Sequence, residues 1–188
     1  MAANSTREQI VSAADELFYQ RGYEHTSFAD IAAAVNLSRG NFYYHFKTKD
    51  DILAAVIARR LDNTRALLEG WQTETPEPAA RIRCFIRILI MNRAKIILYG
   101  CPVGTLCSEL AKLEHPAQTD AGRLFGLFRQ WLAGQFERLG RAADADALAM
   151  HLLARSQGIA TLASTFRDED FIRQEVELLD AWLQCQIH

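Results

Sequence analysis

Residues Ser38–Lys49, SRGNFYYHFKTK, confine the fold more tightly than any other stretch of the chain. Ser38 is a good helix N-cap because its side-chain oxygen accepts from the free amides of a first turn, so a helix begins at Arg39. At about 100° per residue, Phe42 and Phe46 fall on one face, Gly40, Asn41 and Tyr44 point roughly the opposite way, and Tyr43 and His45 take the flanks. Just upstream, SFADIAAAVNL reads as another short helix, with Ser27 and Asp30 spaced as a capping box and Ile31, Val35 and Leu37 on its apolar side. Asn36 ends it so near Ser38 that only a tight turn fits, which makes a helix-turn-helix. In DNA-binding proteins the second helix of such a unit enters a major groove by its N-terminal residues while the first crosses the backbone; three amphipathic helices of a generic bundle are the alternative reading. Earlier still, Ile10, Ala13, Ala14, Leu17 and Phe18 recur at helical spacing until Gly22, predicting a helix that covers the other two.

Charge supports this face only locally. The formal net charge is -2, and residues 1–53 carry Arg7, Arg21, Arg39, Lys47 and Lys49 against Glu8, Asp15, Glu16, Glu24, Asp30, Asp50 and Asp51, so there is no global basic footprint. From Ile31 through Lys49, however, there is no acid, while Arg39, Lys47, Lys49 and His45 supply cationic groups. That pattern suits a dimer that steers only its reading face toward DNA and relies on two half-sites for affinity.

Residues 7–53, above all RGYEHTSFADIAAAVNLSRGNFYYHFKTKDDIL, resemble the DNA-binding domain of the TetR family of bacterial regulators. The shared features are the glycine after helix one, paired hydroxyls opening helix two and a Tyr-x-His-Phe-x-x-Lys run. The resemblance implies an all-α homodimer, with a three-helix domain at 1–53 that binds a palindromic operator in double-stranded DNA and an effector-binding and dimerisation domain at 54–188. It implies a sequence-specific transcriptional regulator, a repressor released by a small organic ligand or electrophile, with no cofactor. It also places Arg39, Asn41 and Tyr44 at base edges, and Ser27, Tyr43, His45 and Lys49 at phosphates. The chemistry agrees: Arg39 can give two donors to guanine, Asn41 can pair with adenine, and Tyr44 can offer ring carbon to a thymine methyl. Gly40 lets the backbone approach closely. Tyr43, His45 and Lys49 can donate to phosphate, and Lys49 lies in the first turn of a helix capped by Thr48, where amides also favour an anion. A solvated surface position is the alternative for each.

With 188 residues and 49% hydrophobic content, the chain can bury a core beyond that of the small first domain. No run of 18 apolar residues occurs and MAANSTREQ lacks a signal-peptide pattern, so a cytoplasmic protein without a membrane partner is expected. Cys84, Cys101, Cys107 and Cys185 have no zinc-finger spacing, so reduced thiols and no structural metal are expected. A helix opened by the Thr48 and Asp51 capping box runs through Ile52, Leu53, Val56, Ile57, Leu61 and Leu68 towards Gly70, long enough to link two domains. Further helices are expected at about 79–98, after a break at Gly100 to Pro102 and ending near His115, then at about 117–139, 144–166 and 170–186.

The last helix has two apolar stripes, Ile172, Val176, Leu179 and Leu183 on one arc and Phe171, Leu178 and Trp182 on another. One stripe can serve the subunit core and the second a partner, joined by the preceding helix through small Gly158, Ala160 and Ala163. The resemblance implies that these two helices form a four-helix bundle with their copies. Burial of both stripes within one subunit is the alternative. For an effector pocket, Phe85, Leu89, Asn92, Tyr99, Phe125, Phe128 and Trp131 are candidate lining residues, since aromatics around a few polar tips suit a small organic ligand. Asn92 interrupts an apolar helix, so burial would oblige it to find a partner.

The stretch YGCPVGTLCSEL resembles, through Gly100, Cys101, Leu106 and Glu109, a TetR subgroup that includes the repressor of N-ethylmaleimide reductase. Amide dipoles at a helix start favour an anion, which makes Cys101, near such a start, a candidate sensor; a buried structural thiol is the competing reading. Two other functional classes remain open: a small helical enzyme acting through Cys101, although no local catalytic motif or HExxH accompanies it, and a protein-interaction module.

Overall fold

The structure, a computed structural model, describes residues 5–187, with the side chain of Arg39 outside that description. Among the described residues there are ten helices and no strand. No helix among them is long and apolar enough to cross a membrane. The chain divides into two compact units: the residues up to Asp62 with Thr105–Gly122, and Asn63–Gly104 with the residues from Arg123 onward. The expected single cut after residue 53 thus differs from the observed grouping, in which a later segment joins the N-terminal unit.

In the N-terminal unit, α1 Thr6–Arg21 starts at a capping box between Ser5 and Glu8. α2 Phe28–Ala34 has the expected box between Ser27 and Asp30, and α3 Arg39–His45 is capped by Ser38. Asn36, at φ 52°, makes the turn between α2 and α3 in the left-handed region that asparagine tolerates. Ile10, Ala14, Ile31, Phe42, Ile52, Leu53 and Val56 are fully buried. Phe28 meets Phe42 edge to face at 4.6 Å. Removing a phenylalanine side chain from such a centre costs about 3 to 5 kcal/mol, so these rings set the angle at which α3 is held.

α4 Lys49–Glu74 continues past the expected stop near Gly70. A glycine inside a helix costs only about 1 kcal/mol. Burial of Leu68 and packing of Trp71 against Trp131, with ring centroids 5.5 Å apart, offset it. The expected helix over 79–98 is two helices, α5 Pro78–Met91 and α6 Arg93–Tyr99. Asn92 breaks it: its side-chain amide donates to the Ile88 carbonyl at 3.0 Å, competing with the helical ladder, and its backbone sits at φ -102°, ψ 7°. α7 Pro102–Lys112 follows Gly100, whose φ of 76° turns the chain sharply. α8 Gln118–Arg138, α9 Ala145–Phe166 and α10 Glu169–Gln186 complete the chain. The core of the C-terminal unit is Ile82, Ile86, Leu132, Phe136, Leu152, Ile172 and Leu183, contributed by α5, α8, α9 and α10.

Candidate DNA-reading face and ligand cavity

The outward face of α3 follows from its inward one. Phe42 is fully buried and Phe46 is 3% exposed, which turns Gly40, Asn41 and Tyr44 to solvent, Tyr44 with 79% of its surface free. Arg39 opens this helix, one residue after its cap. Tyr43 is exposed but anchored, its ring resting on Phe28 at 5.0 Å, and half-buried His45 packs edge-on against Tyr44 at 5.2 Å.

Two of the expected phosphate contacts are engaged within the subunit. The hydroxyl of Ser27 lies 2.5 Å from the Asp30 carboxylate and also accepts from the Asp30 amide. The Lys49 ammonium donates to the Tyr23 carbonyl at 2.9 Å and the Glu24 carbonyl at 3.4 Å, with its charge 4.1 Å from the Tyr23 ring centroid. An ammonium has three donors, so one is left for a phosphate.

Sequence reasoning matched Glu109 to a motif without giving it a task. Both its carboxylate oxygens cap the turn after α1, accepting from the amides of Tyr23 at 2.8 Å and Glu24 at 2.9 Å. Gly22, at φ 88°, leaves room for this: a Cβ there would meet Glu109 Oε1 at 2.8 Å. Buried Tyr23 donates its hydroxyl to Asp50, and the His115 ring stacks edge-on against it at 5.1 Å. Burial, then the Asp50 hydrogen bond, pushes the Tyr23 phenol well above its usual range, so it remains a neutral donor. His115 accepts the Ala117 amide at Nδ1, 3.1 Å, and turns Nε2 to Asp50 at 3.6 Å. No local pattern signals these contacts, because Glu109 lies 86 residues from Tyr23.

The cavity of the C-terminal unit has a volume of about 120 Å³. Of the candidate lining residues, Phe85, Leu89, Asn92, Phe125 and Phe128 border it, together with Cys101 and with Ser156, Gln157 and Ala160 of α9. Tyr99 and Trp131 do not line it. Trp131 instead pairs with Trp71, and its buried indole N–H has no hydrogen-bond partner among the described residues. Asn92 is exposed rather than buried, at the cavity rim, with its amide on Ile88. Cys101 is half-buried, and its Sγ accepts the Gly104 amide at 3.4 Å. Ser156 and Gln157 were missed because they lie in a helix whose pattern suggested only packing.

Of the candidate interface residues, Gly158 is exposed and Leu178 is 57% exposed, whereas Phe171 and Trp182 are half-buried against their own core. Trp182 stacks on His151 at 4.7 Å. Ala163 is fully buried in the subunit core and so faces inward rather than toward a partner. Its neighbours Leu162 and Phe166, with Met150, form the exposed apolar side of α9 instead.

The family model for bacterial regulatory proteins of the tetR family matches residues 10–56, which include the two helices of the reading unit. An HTH-type transcriptional regulator in the lacX 3' region of Lactococcus lactis subsp. lactis is 30% identical over 179 residues, covering 93% of this chain and 91% of the relative. The crystal structure of a TetR transcriptional regulator from Legionella pneumophila superposes with a TM-score of 0.84 at 28% identity, over 96% of this chain and 98% of that one. The reduced form of NemR from E. coli has a TM-score of 0.77 over 92% and 94% of the two chains, but at 19% identity it shows the fold alone. The chain belongs to the TetR family and is a DNA-binding transcriptional regulator of the helix-turn-helix type, not an enzyme. Regulators of this family bind operator DNA and act as dimers. The readings as a thiol enzyme or a mere interaction module are thereby set aside.

Proposed function

We propose that the chain is a cytoplasmic, homodimeric repressor that binds a palindromic operator and leaves it when a small organic ligand occupies the C-terminal cavity. The observation that carries DNA reading is the solvent-turned face of α3, within a stretch that holds no acid from Ile31 to Lys49. On this reading the DNA-binding part is 1–53 and the effector and dimerisation part 54–188. Arg39, Gly40, Asn41 and Tyr44 approach base edges, while Ser27, Tyr43, His45 and Lys49 hold phosphates. The exposed apolar groups Met150, Leu162, Phe166 and Leu178, with Gly158, Phe171 and Trp182, make the two-fold contact. One continuous helix, α7, carries both Val103 of the cavity wall and Glu109 of the turn after α1, which supports release by ligand.

Operator titrations over several salt concentrations test this. Arg39→Ala or Asn41→Ala should cost about 1 to 3 kcal/mol and relax base preference at particular positions, whereas Lys49→Ala should weaken every sequence and lower the salt slope by about one. Equal losses on operator and random DNA in all three variants would overturn the assignment.

The cavity position of Cys101 favours a second route, in which an electrophile modifies the thiol and releases DNA. Cys101→Ser should then bind the operator and ignore a mild electrophile, while Cys84→Ser and Cys185→Ser respond. A Cys101→Ser variant that responds like the parent leaves only the reversible ligand.

A further inference from the structure

We propose that the cavity accepts a small, uncharged, largely apolar molecule about the size of one six-membered ring, with a single hydrogen-bonding group directed at Gln157. This rests on the reading of the chain as a ligand-released repressor and names the ligand class. Size comes first: the cavity has about 120 Å³. A dry cavity of about 150 Å³ holds benzene, whereas pockets for drug-sized ligands run to roughly 300–1,000 Å³. Charge comes second. None of the lining side chains is ionic, and three phenylalanines form the walls, Phe85 and Phe128 with ring centroids 5.5 Å apart. An ion would lose its water there without a counter-charge to replace it.

The polar group is located by elimination. Ser156 donates to the Leu153 carbonyl at 2.8 Å and accepts from Gln157 Nε2 at 3.3 Å. Asn92 donates to Ile88 and, exposed at the rim, meets water with its remaining groups, and the Cys101 sulfur accepts from Gly104. Gln157 spends one N–H on Ser156, and among the described residues nothing bonds to its Oε1. Oε1 lies against Gly104, so the second N–H is the group left to donate to a ligand hydroxyl or ketone oxygen. Gly104 makes the position of Gln157 possible, since a Cβ there would stand 2.2 Å from Oε1.

Calorimetric binding on the full-length protein decides the matter, with phenol, cyclohexanone and toluene as neutral probes, benzoate and benzylammonium as charged counterparts, and 1-naphthol as the larger one. Operator binding is measured on the same samples. Phenol and cyclohexanone should bind and weaken operator affinity, with the charged probes at least roughly tenfold weaker. Gln157→Leu should weaken phenol by about fivefold to tenfold and leave toluene unchanged, the signature of one lost hydrogen bond. Charged probes that match phenol, 1-naphthol that displaces phenol and binds more tightly, or the absence of binding by every neutral probe would each overturn the ligand class. The ordering of neutral against charged probes on the parent decides this even if Gln157→Leu does not fold. A parent that binds its operator but shows none of this order refutes the ligand class alone, whereas a parent with no operator affinity refutes the repressor reading beneath it.

Discussion

The two units reach stability by different routes. In the N-terminal unit the helices are started by side chains: Ser5, Ser27, Ser38 and Thr48 each accept a backbone amide of the turn they precede. In the C-terminal unit α5, α6 and α9 begin without a side-chain cap, α10 being capped by Asp168. A seven-residue helix such as α2 or α3 cannot offset its nucleation cost alone, so caps worth about 1 kcal/mol each matter there. The 22-residue α9 is held by burial, with Ala149, Leu152, Ile159 and Ala163 in the core. The difference extends to chemistry: one unit offers groups on a convex helix face, the other encloses a hollow.

The strongest test removes the ring that orients the reading helix. Phe42→Ala should destabilise the N-terminal unit by about 3 to 5 kcal/mol and abolish operator binding while the C-terminal cavity still binds phenol. Two probes in one thermal series, hydrogen exchange at the Ile31 amide and phenol binding, should separate. If they fall together, the units do not differ in the way described.

Next in size is the exposed side of α10. Leu178→Glu would bury a carboxylate in an apolar contact and cost the dimer about 3 kcal/mol or more. Sedimentation should show monomer, and operator affinity should be lost although the three-helix unit stays folded. A dimeric variant with normal affinity would mean that the interface lies elsewhere.

Glu109→Gln is a smaller perturbation, because one of the two amide acceptors becomes a donor; about 1 to 3 kcal/mol is expected. Hydrogen exchange at the amides of Tyr23 and Glu24 should speed up while that of α9 does not change. Unchanged exchange at those two amides would deny Glu109 its capping role.

The smallest expected effect is on pH and salt. Capping hydrogen bonds from Ser27 and Thr48 hold the carboxyls of Asp30 and Asp51 below their usual range. In the C-terminal unit, arginine partners do the same for Asp146 and Glu169. A depressed folded pKa means that the stabilisation is complete above the ordinary carboxyl pKa of about 4 and is lost as pH falls through the lower folded value. Added salt should screen the exposed arginine pairs and leave the short-range caps, so acid sensitivity in high salt should persist in α2 and α4 and fade in α8 to α10. Residue-resolved exchange below pH 4 checks it.

The parts of the molecule that were legible are those whose causes lie within a few residues. Ser38 and Phe42 are four positions apart, and the spacing of Phe42 and Phe46 alone turns Asn41 and Tyr44 outward. The cavity was half legible. Phe85, Phe125 and Phe128 line it, but Tyr99 and Trp131, chosen with them because aromatics suit an organic ligand, do not, since residue type does not say which way a helix is turned.

The sequence by itself determined the helix starts, the apolar stripes and the family, because caps, periodicity and the Tyr-x-His-Phe-x-x-Lys run are local. Tertiary structure decided the rest. It put Ala163 in the core and left Leu162 and Phe166 outside, and brought Glu109 to the amides of Tyr23 and Glu24. It also brought Gln157 against Gly104, across a separation that no periodicity spans. The physical reason is common to all three: a helix carries its side chains at angles set by its own geometry, but which angle meets core, cavity or solvent depends on how the other helices pack around it.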